Sequence, residues 1–397
     1  MTRSVAALLV AACLAVGVGV GIAAGSLVTG SSTIVGGASP SVTGAPSLPV
    51  TSVATIAAAS ATPSPTPSPS ATPQPTATPA PTPRIVAAPL TGMPVTETVA
   101  RRPVIAVMID DQFRARPQSG LSQAGVVWQA PAEGGIPRYM ALFQDTDPTS
   151  VGPVRSARYY FIAWAAEWRA VYVHSGGSPQ ALALLRSSQG RGRVVYDADE
   201  FRYGGRYLYR LTTRSAPHNV YSDAKRIRAL VKAVGSKPMD YEAAWLFAPD
   251  APLVDRPEGS RITVPYLANR ISYAYDRASN RWLRTVSGEG RQVDAGTSER
   301  IAPKNVVIMF MSFAPLRDGS TKHRLEAQFT GKGTAWIATN GTTVKGTWRK
   351  ASMTAPTMFY GADGKPATLT MGQTFVQVIP IGTKITVRNG TVPQRER

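Results

Sequence analysis

Pro103-Val104-Ile105-Ala106-Val107-Met108-Ile109-Asp110 is the stretch from which the fold is read. Its apolar residues run without alternation and stop at Asp110-Asp111. A half-buried strand would alternate apolar and polar residues, so an unbroken run of this length reads as a strand buried on both faces. Such a strand needs neighbours. Val126-Val127-Trp128, Tyr139 to Phe143 and Ala170 to Val173 read as further strands. Between them, Ser156 to Arg169 predicts a helix with Tyr159, Ile162, Ala163 and Ala166 along one side. A second helix starts at Pro179, a residue suited to the first helical turn. Ser222 is placed to cap a third, which presents Ala224, Ile227, Leu230, Val231 and Val234 on one face and ends at Gly235.

Beyond about residue 250 helical periodicity fades and strand signals dominate. Ile271 to Tyr275 alternates, turns over residues 277–280 and returns through Arg281 to Arg284. Ala335 to Ala338 leads into Asn340-Gly341 and returns through Thr343 to Trp348; Asn-Gly between alternating runs is a strong hairpin signal. Asp363-Gly364 marks another turn and Phe375 to Ile379 a late strand. The expected fold class is α+β: a mixed α/β domain with a central sheet over residues 89–245, followed by a mainly β domain over residues 246–397.

The N-terminal part has a different composition. Residues 1–28 read as a signal peptide or membrane anchor. Arg3 precedes an almost wholly apolar run from Val5 to Val28, and about 20 apolar residues span a bilayer as a helix. Three readings stay open: an uncleaved anchor, cleavage after Ala23-Ala24-Gly25, and a lipoprotein acylated at Cys13, which follows the small residues Val10-Ala11-Ala12. Residues 29–88 form a Pro/Ser/Thr/Ala-rich stalk, with TPSPTPSPSATPQPTATPAPTP over residues 62–83. Such a segment lacks the apolar mass to offset its ordering entropy, and its prolines make it a spacer extending about 3 Å per residue. This combination predicts an extracytoplasmic body tethered to the cytoplasmic membrane.

Of the 397 residues, all but two of the 43 basic and all 24 acidic ones lie after residue 88, which leaves that part with a formal charge of +17. A body this basic favours anionic surroundings such as wall polymers, acidic lipid headgroups or nucleic acid. The basic clusters are short and scattered, as in Lys225-Arg226 with Arg228, so nucleic acid is the weakest of these partners. Cys13 is the only cysteine, so no disulfide and no thiolate metal site is expected in the body.

Several segments are more specific than generic loops: Ala115 to Leu121, Glu133-Gly134-Gly135-Ile136-Pro137-Arg138, Gly152 to Arg158, His174-Ser175-Gly176-Gly177-Ser178 and Pro217-His218-Asn219. With Pro89-Leu90-Thr91-Gly92, Gly346-Thr347-Trp348-Arg349-Lys350 and Gly372 to Pro380, they give the chain a resemblance to the YerB-like lipoproteins, a bacterial family of unknown function. The resemblance departs at Asp111, where Asn is expected, and at Pro137, where Thr is expected. It implies an α/β domain followed by a β-rich one and supports lipidation at Cys13. It brings no activity with it.

Chemistry must therefore be read from the residues. Arg116, Arg138, Arg155 and Arg158 all lie in Gly- or Pro-marked segments beside strands, and guanidinium forks bind phosphate and carboxylate. They predict an anion pocket at the strand ends, with Arg155 and Arg158 as clamps for a wall polymer, a polyprenyl phosphate or a peptidoglycan carboxylate. The competing reading pairs these arginines with Asp110, Asp111 and Glu133. His174, before Gly176-Gly177, could work with Glu133 or Asp110 as an acid–base pair in an envelope hydrolase or transferase. No nucleophile elbow, metal-ligand spacing or cofactor fingerprint accompanies it, so neither metal nor cofactor is expected. Trp336 and Trp348 flank the Asn-Gly hairpin as core aromatics or a sugar-stacking surface.

Overall fold

In the computed structural model, which describes residues 82–187 and 189–394, Ile105–Asp110 forms strand β1 with every residue buried, as an unbroken apolar run requires. Strands β2 (Val126–Pro131) and β3 (Pro137–Phe143) are buried throughout as well. β3 lies antiparallel to both β1 and β2. On its other side β1 pairs in parallel with β4 (Val171–His174), and β4 with the edge strand β5 (Tyr196–Asp199).

The sheet does not stop there. The β-rich half supplies a second sheet, made of β6 (Arg261–Pro265), β7 (Arg270–Asp276), β8 (Arg281–Val286), β9 (Gly290–Arg291) and β15 (Thr386–Arg388), in the order β9-β8-β7-β6-β15. It also supplies β10 (Asn305–Met311), β11 (Gly331–Thr339), β12 (Thr342–Lys350), β13 (Met358–Tyr360) and β14 (Thr374–Pro380). These five join the central sheet, giving ten strands in the order β13-β12-β11-β10-β14-β2-β3-β1-β4-β5. The seam is parallel, with Thr374 to Gln377 of β14 against Val126 to Gln129 of β2. The expected class, an α/β first part with a central sheet and a mainly β second part, is what the chain adopts. The two parts share one sheet.

Each face of that sheet is covered. One carries helix α1 (Tyr159–Ala166), whose Tyr160, Phe161 and Trp164 pack on Met108, Trp128 and Met140. Trp128 and Trp164 stack with ring centroids 4.5 Å apart. The opposite face carries helix α3 (Ala224–Ala233) over β1, β3 and β4 through Ile227, Leu230 and Val231. Further along the same face lies the five-stranded sheet, whose Ile262, Val264, Tyr273 and Trp282 meet Val306, Ile308 and Ile379. All three cores are built from residues 90–379, so this part of the chain carries its own hydrophobic interior.

Local signals hold with two adjustments. Helix α2 (Pro179–Arg186) begins at its proline. The hairpin between β11 and β12 has Asn340 at φ 48° and Gly341 at φ 76°, the positive values that a two-residue turn matching strand twist requires. The first predicted helix is shorter than expected, because residues up to Arg158 (φ −132°, ψ 146°) stay extended alongside β1 and the loop after β4. The cap of α3 is Asp223 and not Ser222. Asp223 Oδ1 accepts from Arg226 N at 2.9 Å, whereas Ser222 is buried and donates to Tyr207 O. Replacing Asp223 by Ala should cost about 1 kcal/mol in urea unfolding. The leader, Cys13 and most of the stalk lie outside the described residues; the end of the expected stalk is not free, since Ile85–Ala87 forms a strand antiparallel to Pro94–Thr96 and Ala88 is buried.

Candidate functional site

The chain concentrates charge where β1 ends and β3 begins. Asp110 and Arg138 are register partners there. The segment before α1 runs beside β1: Asp110 N donates to Pro153 O (3.0 Å) and Arg155 N to Met108 O (2.9 Å), so Arg155 and Ser156 emerge at the same sheet end. The turn over Glu133–Gly135 brings Glu133 back toward Arg138. Together Asp110, Glu133, Arg138, Arg155 and Ser156 border a cleft of about 350 Å³, and Lys322, from the hairpin of Phe313–Pro315 with Leu325–Ala327, closes its rim.

Two kinds of arginine meet there. Arg138 and Arg158 are spent on structure. Arg138 Nη2 lies 2.6 Å from Glu133 Oε2, its Nη1 donates to Ser156 O (2.9 Å) and Ser156 Oγ (3.1 Å), and Arg158 Nη2 pairs with Glu133 Oε1. Burial pushes both guanidiniums down to about 10, far enough above neutrality that each stays charged. Arg155 is different. Its Nε lies 2.8 Å from Asp110 Oδ2 at too oblique an angle for a hydrogen bond, and about a quarter of its side chain (27%) is exposed. Among the described residues its two terminal nitrogens make no hydrogen bond, and Lys322 has no ion-pair partner. Asp110 is shared with His218, whose Nδ1 is 2.8 Å from Oδ2. Four cations thus stand against two carboxylates, and the fork left over belongs to Arg155.

The residues expected from sequence divide accordingly. Asp110, Glu133, Arg138, Arg155 and Arg158 come together. Arg116 does not: it pairs with Asp111 at 3.0 Å and with Glu289 at 3.7 Å, held there by the loop that follows β1. His174 does not either. It is fully buried, with Nδ1 2.8 Å from Gly176 O and Nε2 2.8 Å from Asp197 Oδ1. The parallel pairing of β4 with β5 supplies this carboxylate, so His174 never reaches Glu133 or Asp110 and the expected acid–base pair is not assembled. The histidine that does meet Asp110 is His218, which its Pro-His-Asn setting had marked. Ser156 and Lys322 were not anticipated; a lysine in a polar hairpin, far along the chain, carries no local signal. Among the described residues no group of three His, Cys, Asp or Glu could hold a metal, and no helix is long and apolar enough to cross a membrane.

Comparison with known proteins follows the same division of the chain. Residues 90–237 match the N-terminal domain of a protein family of unknown function, DUF3048, and residues 262–376 match its C-terminal domain. The chain is 30% identical over 298 residues to "Putative lipoprotein YerB" of Bacillus subtilis (strain 168), covering 74% of this chain and 86% of that protein. The crystal structure of Bacillus subtilis YerB superposes with a TM-score of 0.66 at 27% identity, over 76% of this chain and 99% of that one.

Proposed function

Since the chain belongs to the DUF3048 family, we propose that it is a membrane-tethered, extracytoplasmic envelope protein whose cleft binds an oxyanion of a wall or lipid component. The tether rests on the apolar run Val5 to Val28 with Cys13, on the stalk over residues 29–88, and on the description of its relative as a lipoprotein. The binding reading rests on one observation: the terminal nitrogens of Arg155, unpaired in a cleft where Glu133 is already neutralised by two other arginines. A planar fork of this kind matches a phosphate or carboxylate, and Lys322 adds a second positive charge at the rim. The groups in question are those of teichoic-type polymers, polyprenyl phosphates or peptidoglycan carboxylates. The reading is one of binding: among the described residues that line the cleft there is no histidine, and His218 touches it only through Asp110.

Thermal unfolding of residues 78–397 with pyrophosphate and with muropeptides tests this reading. One of the two should raise the melting temperature, and the rise should shrink at high salt. At about 100 times its dissociation constant a ligand adds about 2.7 kcal/mol. Arg155→Ala should fold, since His218 and the Gln112 amide still hold Asp110, yet show no ligand-dependent rise. No shift with either ligand, or an equal shift in the variant, would defeat the proposal.

A further inference from the structure

A second concavity lies on the other half of the central sheet, and its chemistry is different. The five-stranded sheet covers β10 and β11 only as far as Ile308 and Ala338. Past that limit Phe310 and Trp336 are left half-covered on the same face. They border a cavity of about 580 Å³ together with Trp348 and Ile381, and Lys332 and Lys345 stand at its margin. That volume is in the range of small-molecule sites.

Its wall is built locally. A Cβ at Gly333 would lie 2.5 Å from Trp348 Nε1, so only glycine lets that indole, 3% exposed and part of the core that α1 covers, lie across the strand. Trp348 Nε1 donates to Phe310 O at 2.8 Å, which fixes the ring there. Ile381 is 68% exposed at the mouth, a large aliphatic side chain in water beside an aromatic floor. The margin is cationic. Lys345 is the register partner of Trp336, so its stem runs beside the indole. Neither Lys345 nor Lys332 has an ion-pair partner among the described residues, and no carboxylate borders the cavity. Of the two tryptophans that flank the hairpin, Trp348, opposite Gly333, is a core aromatic, and Trp336 is left half-covered.

We propose that this groove binds a single-chain amphiphile with an anionic head, the chain lying over Trp336, Phe310 and Ile381 and the head between Lys332 and Lys345. An inorganic anion alone would find two flexible ammoniums and no guanidinium fork. An uncharged chain would leave both lysines unused. The site is separate from the Arg155 cleft and stands whether or not that cleft binds anions.

Calorimetric titration of residues 78–397 with dodecyl phosphate, below its micellar concentration, tests the assignment. One equivalent should bind, dodecyl maltoside should bind at least about tenfold more weakly, and inorganic phosphate should neither bind there nor compete. Ile381→Glu places a carboxylate at the mouth on an exposed position that folding does not need, and should weaken dodecyl phosphate by about tenfold or more. Trp336→Ala should do likewise. Absence of binding, equal binding of the maltoside, indifference to Ile381→Glu, or displacement by pyrophosphate, which would put the alkyl phosphate in the Arg155 cleft, would each overturn the proposal.

Discussion

Lys350→Met is expected to destabilise the protein by about 3–5 kcal/mol, because it strands a buried carboxylate. Lys350 Nζ lies 2.8 Å from Glu167 Oε1, with the two side chains 0% and 1% exposed. Lys350 also donates to Ala355 O, and Thr357 Oγ1 donates to Glu167 at 2.5 Å. Glu167 closes α1 and Lys350 ends β12, so the pair ties the helical layer to the β-rich end of the sheet. Burial raises the Glu167 carboxyl and lowers the Lys350 ammonium; their mutual attraction opposes both shifts, and Thr357 adds to it at Glu167. Methionine fills the space of the lysine stem but leaves Glu167 to be buried neutral or charged alone. The sign with pH follows. A carboxyl whose folded-state pKa lies above its unfolded value of about 4.3 loses stability as pH rises between the two. Lys350 lowers the Glu167 value, so its removal widens that window. The deficit should be smallest in mild acid and grow toward neutrality. Adding Glu167→Gln, which keeps an acceptor for Thr357, should recover most of the loss, because the charge itself is then gone. Urea unfolding of the two variants at pH 5 and pH 7.5 reads all of this. A single variant within about 1 kcal/mol of the parent would mean that water reaches Glu167.

Why the sequence announces some of this architecture and conceals the rest can be seen in particular elements. β1, the Asn340-Gly341 hairpin and α3 are encoded within a few residues: an unbroken apolar run, two residues at positive φ, a 3.6-residue periodicity. The seam between β14 and β2 is not. It pairs residues 374–377 with residues 126–129 in parallel, and a parallel seam has no turn to signal it. The cleft was half legible for the same reason. Gly and Pro punctuation singled out Arg138, Arg155 and Arg158, since segments that must bend sharply beside strand ends also present side chains there. Some of what these side chains bond to is local, Asp111 for Arg116 and Glu133 for Arg138, as the competing reading had it; the rest comes from partners remote in sequence, the hairpin lysine at the rim of the Arg155 cleft and Asp197 for the His174 ring. A residue type gives a capacity for bonding, and the tertiary pairing decides whether that capacity is spent.

Arg284 is the case where spending is complete, and Arg284→Met is expected to cost about 3–5 kcal/mol. The side chain projects from β8 into the contact between the five-stranded sheet and the central one, with no exposure. Nε donates to Tyr273 OH (3.0 Å), Nη1 to Tyr139 OH (3.0 Å) and to Gln292 Oε1, and Nη2 to Gln129 Oε1 (2.7 Å). Gln129 in turn donates to Asp111 Oδ2 at 2.6 Å, and Asp111 is fixed by Arg116. Burial works against the guanidinium's charge, but Tyr139, Tyr273 and Asp111 more than reverse it, so its pKa is raised. Burial raises the Asp111 carboxyl, and Arg116 and Arg284 pull it back. Removing Arg284 leaves two buried amide oxygens without this donor and Asp111 with one compensating charge fewer. Arg284→Lys should rescue little, because one ammonium cannot meet four acceptors spread around a planar fork. The damage should be local in origin. Hydrogen exchange should quicken first in β6, β7 and β8, which meet the central sheet across this network, while β1 and β3, closed on both faces by apolar packing, keep their protection until global unfolding. Uniform loss of protection would show that the two sheets unfold as one unit. Loss confined to β6–β8 would make the network the hinge on which the smaller sheet is held.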